Sequence, residues 1–83
     1  MTMNRKFKTL DVRPLIAKGV EPFTTIRTRI DQLGPGEGLS VIAPFLPSPL
    51  IEKLAAERFC VRVEHQIGFW ITHFWRDDKP AGE

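Results

Sequence analysis

Gly34-Pro35-Gly36 separates two segments of this chain that cannot belong to one element. Before it, apolar residues recur at spacings of three and four, as on one side of a helix: Phe23, Ile26, Ile30 and Leu33. After it, residues 39–43 are almost all apolar, which is typical of a buried strand. Proline lacks the amide hydrogen that a continuing helix needs, and glycine commonly follows a helix end. We therefore predict a helix and then a strand that helices cover.

An alternation of apolar and polar residues over residues 7–13 predicts a strand ahead of that helix. The apolar side of this strand is expected to hold Phe7, Leu10 and Val12. Residues 13–19 then form its exit loop. The helix opens at Glu21-Pro22, because a proline near the first helical position has no amide hydrogen bond to lose.

A second helix and a hairpin follow the buried strand. Ser48 can cap this helix, with Pro49 at its first position. Its buried face is expected to hold Leu50, Ile51, Leu54 and Ala55. From Phe59 the apolar period changes to two, and two alternating segments meet at a turn near residues 66–68. These segments predict an antiparallel hairpin that ends at Arg76.

The order of elements is therefore β-α-β-α-β-β, with a right-handed crossover between the first two strands and an antiparallel closing pair. Each helix has a single apolar stripe, so both must cover the same face of a four-stranded mixed sheet and leave the other face open. We predict an α/β fold of the α+β two-layer type, as one domain over residues 7–76. Residues 1–6 are expected to form a flexible N-terminus and residues 77–83 a disordered tail.

The composition argues against several classes of protein. The single cysteine, Cys60, cannot form an internal disulfide, and no Cys/His spacing suits a zinc site, so we expect no metal and no cofactor. No apolar run approaches the roughly 20 residues that cross a bilayer, and the basic first residues lack a signal-peptide core, so we predict a cytoplasmic protein without a membrane partner. Positive and negative residues are interleaved at a net charge of +2, which argues against nucleic acid.

Four short motifs follow one another along the chain: Leu10-Asp11-Val12-Arg13, Val20-Glu21-Pro22-Phe23, Pro-Gly-Glu at 35–37, and the closing hairpin. Over residues 9–76 their order resembles the TusA/SirA-like family of small sulfur carriers. In that family a Cys-Pro-x-Pro motif opens the first helix, where the helix N-terminus activates the thiol. The motif falls here on Gly19-Val20-Glu21-Pro22, so Gly19 takes the cysteine position. The resemblance implies the sulfur-carrier fold without its reactive thiol.

A branch of cysteine-less relatives, among bacterial proteins of unknown function, resembles this chain further. That branch carries an Arg-His pair at the helix start and an Asn-Asp-His-Asp segment after the second strand. The corresponding positions here read Pro22-Phe23 and Ala43-Pro44-Phe45-Leu46. Neither set of polar groups is present, so the ligand-like features of that branch are not implied for this chain.

The start of the first helix is one candidate site, for an anion or for a protein partner. Its residues are Arg13, Lys18, Gly19, Val20, Glu21 and Pro22. Free N–H groups at Gly19 and Val20 would attract an anion together with the two basic side chains. The alternative is that Arg13 pairs with Asp11 or Glu21 and that Lys18 is solvated.

The closing hairpin is the second candidate site, because its last strand is apolar or aromatic on both sides. If Val61 and Val63 point inward, the open face carries Cys60, Arg62, Glu64, Ile71, His73 and Trp75, with Arg62 opposite His73 and Cys60 opposite Trp75. Tryptophan beside arginine is typical of interfaces. We expect a protein partner here, most simply a second copy in a homodimer; the alternative is a scatter of surface aromatics or cover by the N-terminal segment.

The single cysteine and the two histidines are further candidates for a catalytic or metal-binding role. Cys60 lies in a strand interior without a helix dipole and is expected to pack rather than react. In the register above, His65 points inward and His73 outward, which argues against a shared metal. We therefore predict a non-catalytic protein-interaction or regulatory module with an unidentified partner. The alternatives are an accessory protein that docks on sulfur-relay partners, with Cys60 accepting sulfur, and an RNA-binding domain by fold analogy with a domain of a bacterial translation initiation factor.

Overall fold

The computed structural model describes residues 6–76. Residues 1–5 and 77–83, predicted to be a flexible N-terminus and a disordered tail, lie outside the described residues, while Lys6 already belongs to the first strand. The elements in chain order are β1 (Lys6–Asp11), α1 (Arg13–Ala17), α2 (Phe23–Asp31), β2 (Glu37–Ala43), α3 (Ser48–Ala56), β3 (Cys60–Gln66) and β4 (Phe69–Trp75). Over residues 6–76, no helix has the length and apolar character needed to span a membrane.

The four strands form one mixed sheet in the order β1-β2-β4-β3. β1 and β2 run parallel, whereas β4 is antiparallel to both β2 and β3. One core cluster takes side chains from the longer helices and from three strands, including Ile26, Ile30, Leu39, Val41, Leu50, Leu54 and Phe74. Burying a Leu, Ile or Phe side chain contributes about 1.5 to 3 kcal/mol, so this cluster is the main source of stability. The predicted two-layer sandwich with both helices on one face is confirmed.

A short helix, α1, occupies part of the segment predicted as the exit loop at residues 13–19. Its Leu15 and Ile16 side chains pack partly buried against the core. The helix ends at Gly19, which has a φ of +75°. The Gly19 N–H donates to the carbonyl of Ile16 at 3.0 Å and the Val20 N–H to that of Leu15 at 2.8 Å. This is the Schellman arrangement, so Gly19 terminates α1 instead of opening the next helix.

The start of α2 agrees with the prediction, whereas that of α3 differs from it. Pro22 is the N-cap residue of α2, next to its first helical residue Phe23. Ser48 is the first residue of α3, with Pro47 as N-cap and Pro49 at the second position. Neither of these N-cap prolines makes a side-chain capping hydrogen bond. Ser48 lies inside α3 and is not its cap, so the predicted Ser48 cap is wrong. Proline has no backbone N–H, so at a helix start it leaves no donor without a hydrogen-bond partner.

Four residues predicted on buried sides are exposed: Phe7, Phe23, Ala55 and Val63. Val63 keeps its predicted side of the sheet but lies on the edge strand β3. Leu10 and Val12 point into the core. Successive strand residues point to opposite sides, so Phe7, an odd number of positions away, lies on the other face. The expectation that it shares their side is therefore wrong, and this places an aromatic ring on the face without helices.

The hairpin turn is as short as a hairpin allows. Gln66 pairs with Phe69, so only Ile67 and Gly68 connect β3 to β4. Gly68 has a φ of +84°, a conformation that glycine adopts without steric cost. With this two-residue turn near the predicted position, the register of the whole hairpin follows from the alternation along the strands.

Candidate binding site on the open sheet face

The side of the sheet without helices is called the open face. Its central side chains are Phe7, Ser40, Cys60, Arg62, Glu64, Ile71, His73 and Trp75. Arg62 pairs with His73 and Cys60 pairs with Trp75 across β3 and β4, so the predicted register is confirmed. Whether these residues form an interface stays a prediction.

His73 links three strands through its two ring nitrogens. Its Nε2 lies 2.5 Å from Oε2 of Glu64 on β3, and its Nδ1 lies 2.7 Å from Oγ of Ser40 on β2. An ionised carboxylate only accepts hydrogen bonds, so Nε2 carries a hydrogen beside Glu64. In the neutral ring Nδ1 then accepts from the Ser40 hydroxyl. Both ends of the imidazole are held, which fixes its orientation on the open face.

The rings of Phe7 and Trp75 lie beside the hydrogen-bonded side chains of Glu64, His73 and Ser40, and together these two rings are called the aromatic wall. The Phe7 ring is nearly perpendicular to its neighbours, with centroid distances of 5.6 Å to His73 and 6.0 Å to Trp75. It reaches this position across Gly38: a Cβ there would lie 2.5 Å from the Phe7 ring and 2.8 Å from the backbone oxygen of Phe74. Glycine is required at position 38 because the ring and the backbone come too close for any side chain.

The aromatic wall and the hydrogen-bonded chain border a concavity of about 390 Å³. It is lined by Phe7, Ser40, Arg62, Glu64, His73 and Trp75. This volume is within the range of about 300 to 1,000 Å³ that is usual for small-molecule sites. Within residues 6–76, the Arg62 guanidinium has no hydrogen-bond or ion-pair partner. The site thus combines apolar walls, a fixed polar floor and one unpaired positive charge.

Residues 9–76 match the model of a family described as an uncharacterized conserved protein, DUF2249. The chain belongs to the DUF2249 family. No curated protein and no solved structure matches it. The matched residues include every open-face residue that lines the concavity except Phe7, which precedes the match by two positions.

Two residues of this DUF2249 site, Phe7 and Ser40, were not predicted from the sequence. The signal for Phe7 was the odd spacing from Leu10 to Phe7, which places the two on opposite faces. Ser40 is the one polar side chain among residues 39–43 and alternates with core residues Leu39 and Val41. A polar residue in an otherwise apolar central strand marks the face that is not covered by helices.

The candidate anion site at the start of the first long helix of this DUF2249 chain lacks the free N–H groups on which it depended. The N–H groups of Gly19 and Val20 are already bonded to carbonyls of α1. At the start of α2, the Glu21 carboxylate accepts the N–H of Phe23 and that of Thr24, the latter at 3.1 Å. It also accepts the Thr24 hydroxyl at 2.8 Å, and these bonds, the hydroxyl above all, hold the pKa of Glu21 below its usual range. The expectation of free donors is therefore wrong.

Arg13 is likewise occupied, as the alternative interpretation proposed. Its Nε and one terminal nitrogen lie 2.9 and 2.7 Å from the two carboxylate oxygens of Asp11. This fork, together with the Arg13 N–H at 3.0 Å, lowers the pKa of Asp11, with the side-chain bonds contributing most. The guanidinium also lies 4.9 Å from the centroid of the Phe69 ring. A role of these residues and of exposed Lys18 in binding a partner stays a prediction.

The remaining chemical candidates lie apart. His65 stacks on Trp70 at a centroid distance of 3.8 Å on the helix side of the sheet, and His73 is on the open face. In the described part of the chain, no group of three His, Cys, Asp or Glu side chains could hold a metal ion. Cys60 is half-buried on the open face beside Trp75. The structure therefore brings the hairpin residues into one site but separates the two histidines.

Ser40, His73 and Glu64 are the residue types of a catalytic triad, in which a base activates a nucleophile and an acid orients the base. Ser40, however, is only 7% exposed and lies in a strand paired on both sides. The backbone N–H groups around it are directed into β1 and β4, so none is available to stabilise an oxyanion. The arrangement can orient a ligand, but the Ser40 side chain is nearly inaccessible and among residues 6–76 has no backbone N–H beside it to stabilise an oxyanion.

Proposed function

We propose that this DUF2249 chain is a non-catalytic protein-interaction or regulatory module that acts through the open face. The observation that carries the proposal is the hydrogen-bonded chain Glu64–His73–Ser40 in the floor of an open concavity. Isolated surface polar groups are ordinarily solvated one by one. Here three strands contribute to a fixed polar arrangement beside the exposed Phe7 ring and the half-buried Trp75 ring, which is the usual composition of a binding site.

We also propose that the fold is a TusA/SirA-like scaffold from a bacterial branch that has lost the carrier's chemistry. Gly19 takes the position of the reactive cysteine in the resemblance. Its φ of +75° favours glycine, so a cysteine at this position would be strained. Four residues further on, the N-terminus of α2 is already occupied by the Glu21 carboxylate. These features support a scaffold that is used for binding and not for sulfur transfer.

A second copy of the chain is the partner that the open face itself favours. Arg62 and Glu64 are two positions apart on the same side of β3. In a two-fold symmetric face-to-face pair, Arg62 of one copy would meet Glu64 of the other, and the reverse contact would follow by symmetry. Aromatic rings beside these charges would supply the apolar contact.

Self-association through this face alone is expected to be weak. Four strands about 4.8 Å apart, each about seven residues long at about 3.3 Å per residue, give a face of roughly 400 to 450 Å². A stable interface buries about 800 Å² on each partner. The pair should therefore be reversible and depend on concentration, as suits a regulatory module.

Sedimentation equilibrium from micromolar to millimolar concentration tests this function. The wild-type chain should gain mass with concentration, and both Trp75→Ala and Arg62→Glu should remain monomeric to higher concentration. Arg29→Glu makes the same charge change on α2 and should associate like the wild type. A monomeric wild type at millimolar concentration, or equal association of Arg62→Glu and Arg29→Glu, would reject the second copy as partner.

A further inference from the structure

We infer that the free edge of β3 pairs with the same edge of a second copy, antiparallel and centred on Val63, so that the two sheets join into one. β3 is the last strand in the order β1-β2-β4-β3, so among residues 6–76 no strand lies on its other side. The inference rests on the proposed function in one respect, since the partner is again a second copy. It uses a different surface, because strand edges pair through the backbone and leave the two open faces side by side.

The edge of β3 lacks the features that usually keep a strand edge from pairing. Natural edges are commonly blocked by lysine, by proline, by a bulge or by a very short strand. β3 has seven residues, none of them lysine or proline, and each pairs with one residue of β4 without a bulge. β1, at the opposite edge, carries Lys6 and Lys8 among its six residues. Of the two edges, that of β3 is therefore the one suited to a partner strand.

The register of the hairpin shows which backbone groups of β3 point away from β4. Gln66 and Phe69 flank the two-residue turn, and residues in these positions exchange hydrogen bonds. Hydrogen-bonded and non-hydrogen-bonded positions alternate along an antiparallel pair, so Val61, Val63 and His65 direct their N–H and C=O groups outward from the sheet. With Val63 opposite its own copy, Val61 meets His65 of the other chain. The three outward residues of each strand then pair only with one another, which is what the new hydrogen bonds require.

The charged side chains of β3 are complementary to their own two-fold copy in this register. Arg62 and Glu64 are each one position from Val63, so Arg62 of one strand lies opposite Glu64 of the other, twice by symmetry. These are non-hydrogen-bonded positions, where cross-strand side chains come closest. The nearest registers that keep the hydrogen bonds place Arg62 opposite Arg62, or Glu64 opposite Glu64. Repulsion between like charges therefore favours the register centred on Val63.

Glu64 can accept a guanidinium from the other chain without releasing His73. Its Oε2 lies 2.5 Å from Nε2 of His73. Its Oε1 lies 3.5 Å from the amide nitrogen of Gln66, which is at the limit of a hydrogen bond. One carboxylate oxygen thus stays with the imidazole while the other receives Arg62 of the second copy.

Val63 supplies the apolar contact on the other side of the sheet. It is 40% exposed, although it lies on the side that carries the helices. Along β3 its neighbours on that side are Val61, which packs against the core, and His65, which stacks on Trp70. In the pair the two Val63 side chains lie beside each other, so apolar surface that is now exposed is removed from water.

Amide hydrogen exchange of the isotope-labelled chain, measured by NMR from micromolar to millimolar concentration, tests the inference. The N–H groups of Val61, Val63 and His65 should exchange more slowly as the concentration rises, in proportion to the paired fraction from sedimentation. Those of Arg62 and Glu64 point to β4 and are bonded in a single copy, so they serve as the internal control. A face-to-face pair leaves the edge amides in water and predicts no such alternation.

Two variants separate the edge from the open face. Val63→Lys places like charges opposite each other and should raise the dissociation constant of the edge pair at least about fivefold. Val20→Lys, the same change on an exposed valine between α1 and α2, should pair like the wild type. Urea denaturation checks that Val63→Lys still folds. Trp75→Ala changes the open face and should leave the concentration-dependent protection of the edge amides as in the wild type.

The outcomes distinguish the edge pair from the face-to-face pair. If the mass rises with concentration while exchange of the three edge amides does not change, the edge pair falls and the open face stands. Slow exchange at every concentration would also overturn the edge pair, because a segment of the same chain would then cover β3. If the edge amides become protected and Trp75→Ala associates like the wild type, the face-to-face pair falls and the edge pair stands. A wild type that stays monomeric at millimolar concentration rejects both.

Discussion

Ser40 and His73 face each other directly across β2 and β4, and the serine hydroxyl lies 2.7 Å from Nδ1 of the imidazole. Glu64 holds the opposite side of the same ring. Because the two contacts join β4 to β2 and to β3, the position of the His73 ring depends on the pairing of all three strands. Variants on the open face can therefore be assayed for the free energy of unfolding and for binding in separate experiments.

Removal of the Ser40 hydroxyl should destabilise the chain modestly. In Ser40→Ala the Nδ1 of His73 loses its partner, and a net loss of about 0.5 to 1.5 kcal/mol in the free energy of unfolding is expected. Urea denaturation measures this. Ser48→Ala serves as control, because Ser48 begins α3 without a capping hydrogen bond and should change stability little. If Ser40→Ala and Ser48→Ala lowered the free energy of unfolding equally, this would contradict the hydrogen bond between Ser40 and His73. Ser40 should also resist covalent labelling by a fluorophosphonate, since its side chain is only 7% exposed and the backbone N–H groups of β2 are used in the sheet.

Gly38→Ala should disturb the aromatic wall. The new Cβ would meet the Phe7 ring and the backbone oxygen of Phe74, and a loss of about 1 to 3 kcal/mol is expected from such overpacking. Gly34→Ala is the matched control, because a Cβ there finds its nearest atom at 3.5 Å. Adding Phe7→Ala should recover part of the loss. If the double variant recovers nothing, the ring is not the source of the strain.

Gly19 should tolerate side chains according to their ability to adopt a positive φ. No atom of the described residues lies within 4 Å of a Cβ built there, so the cost is conformational and not steric. We expect Gly19→Ala to lose about 1 to 2 kcal/mol and Gly19→Asn to lose less, because asparagine visits this region more readily. Thermal or urea unfolding ranks the three chains. An alanine variant as stable as the wild type would show that Gly19 does not end α1 as described.

Thr72→Val should leave the fold as stable as the wild type or more stable. The Thr72 side chain is fully buried, and its hydroxyl has no hydrogen-bond partner among residues 6–76. Replacing an unsatisfied buried hydroxyl by a methyl group of similar size removes a desolvation cost of about 1 to 3 kcal/mol. Thr28→Val is the control, since the exposed Thr28 hydroxyl donates to the carbonyl of Thr24 at 3.0 Å. A clear loss of stability in Thr72→Val would mean that the hydroxyl is bonded.

Glu37 should contribute to the loss of stability in acid. The Gly34 N–H at 2.7 Å, and then Lys8 at 3.6 Å, hold the pKa of Glu37 below its usual range. A carboxyl with a lowered folded-state pKa stabilises the protein above its unfolded-state pKa of about 4.3. That stability is lost as the pH falls through the folded-state value.

Urea midpoints measured from pH 6 to pH 2 should therefore fall less steeply for Glu37→Gln than for the wild type. Glu52→Gln is the control, because Glu52 is exposed on α3 and has no ion-pair or hydrogen-bond partner among the described residues. Identical slopes for the wild type and Glu37→Gln would contradict the linkage.

The register of the hairpin was predictable because the alternation along β3 and a short turn place Val61 and Val63 on the helix side of the sheet. The segment around α1 was not, since five residues make less than two helical turns and show no period. Phe7 was placed on the wrong face because an edge strand tolerates an apolar residue on either side. Ser48 was misplaced by one position, which is a common uncertainty at helix ends.

The sequence by itself determined the order of the elements, the two-layer sandwich and the pairing of Arg62 with His73, since these follow from the periods of apolar residues along single segments. Only the tertiary structure decided that Phe7 and Ser40 join the hairpin residues in one concavity, and that Gly19 ends a helix. The reason is physical: β1, β2 and β4 are neighbours through long-range pairing, and the chemistry of a site depends on which side chains that pairing brings within hydrogen-bonding distance.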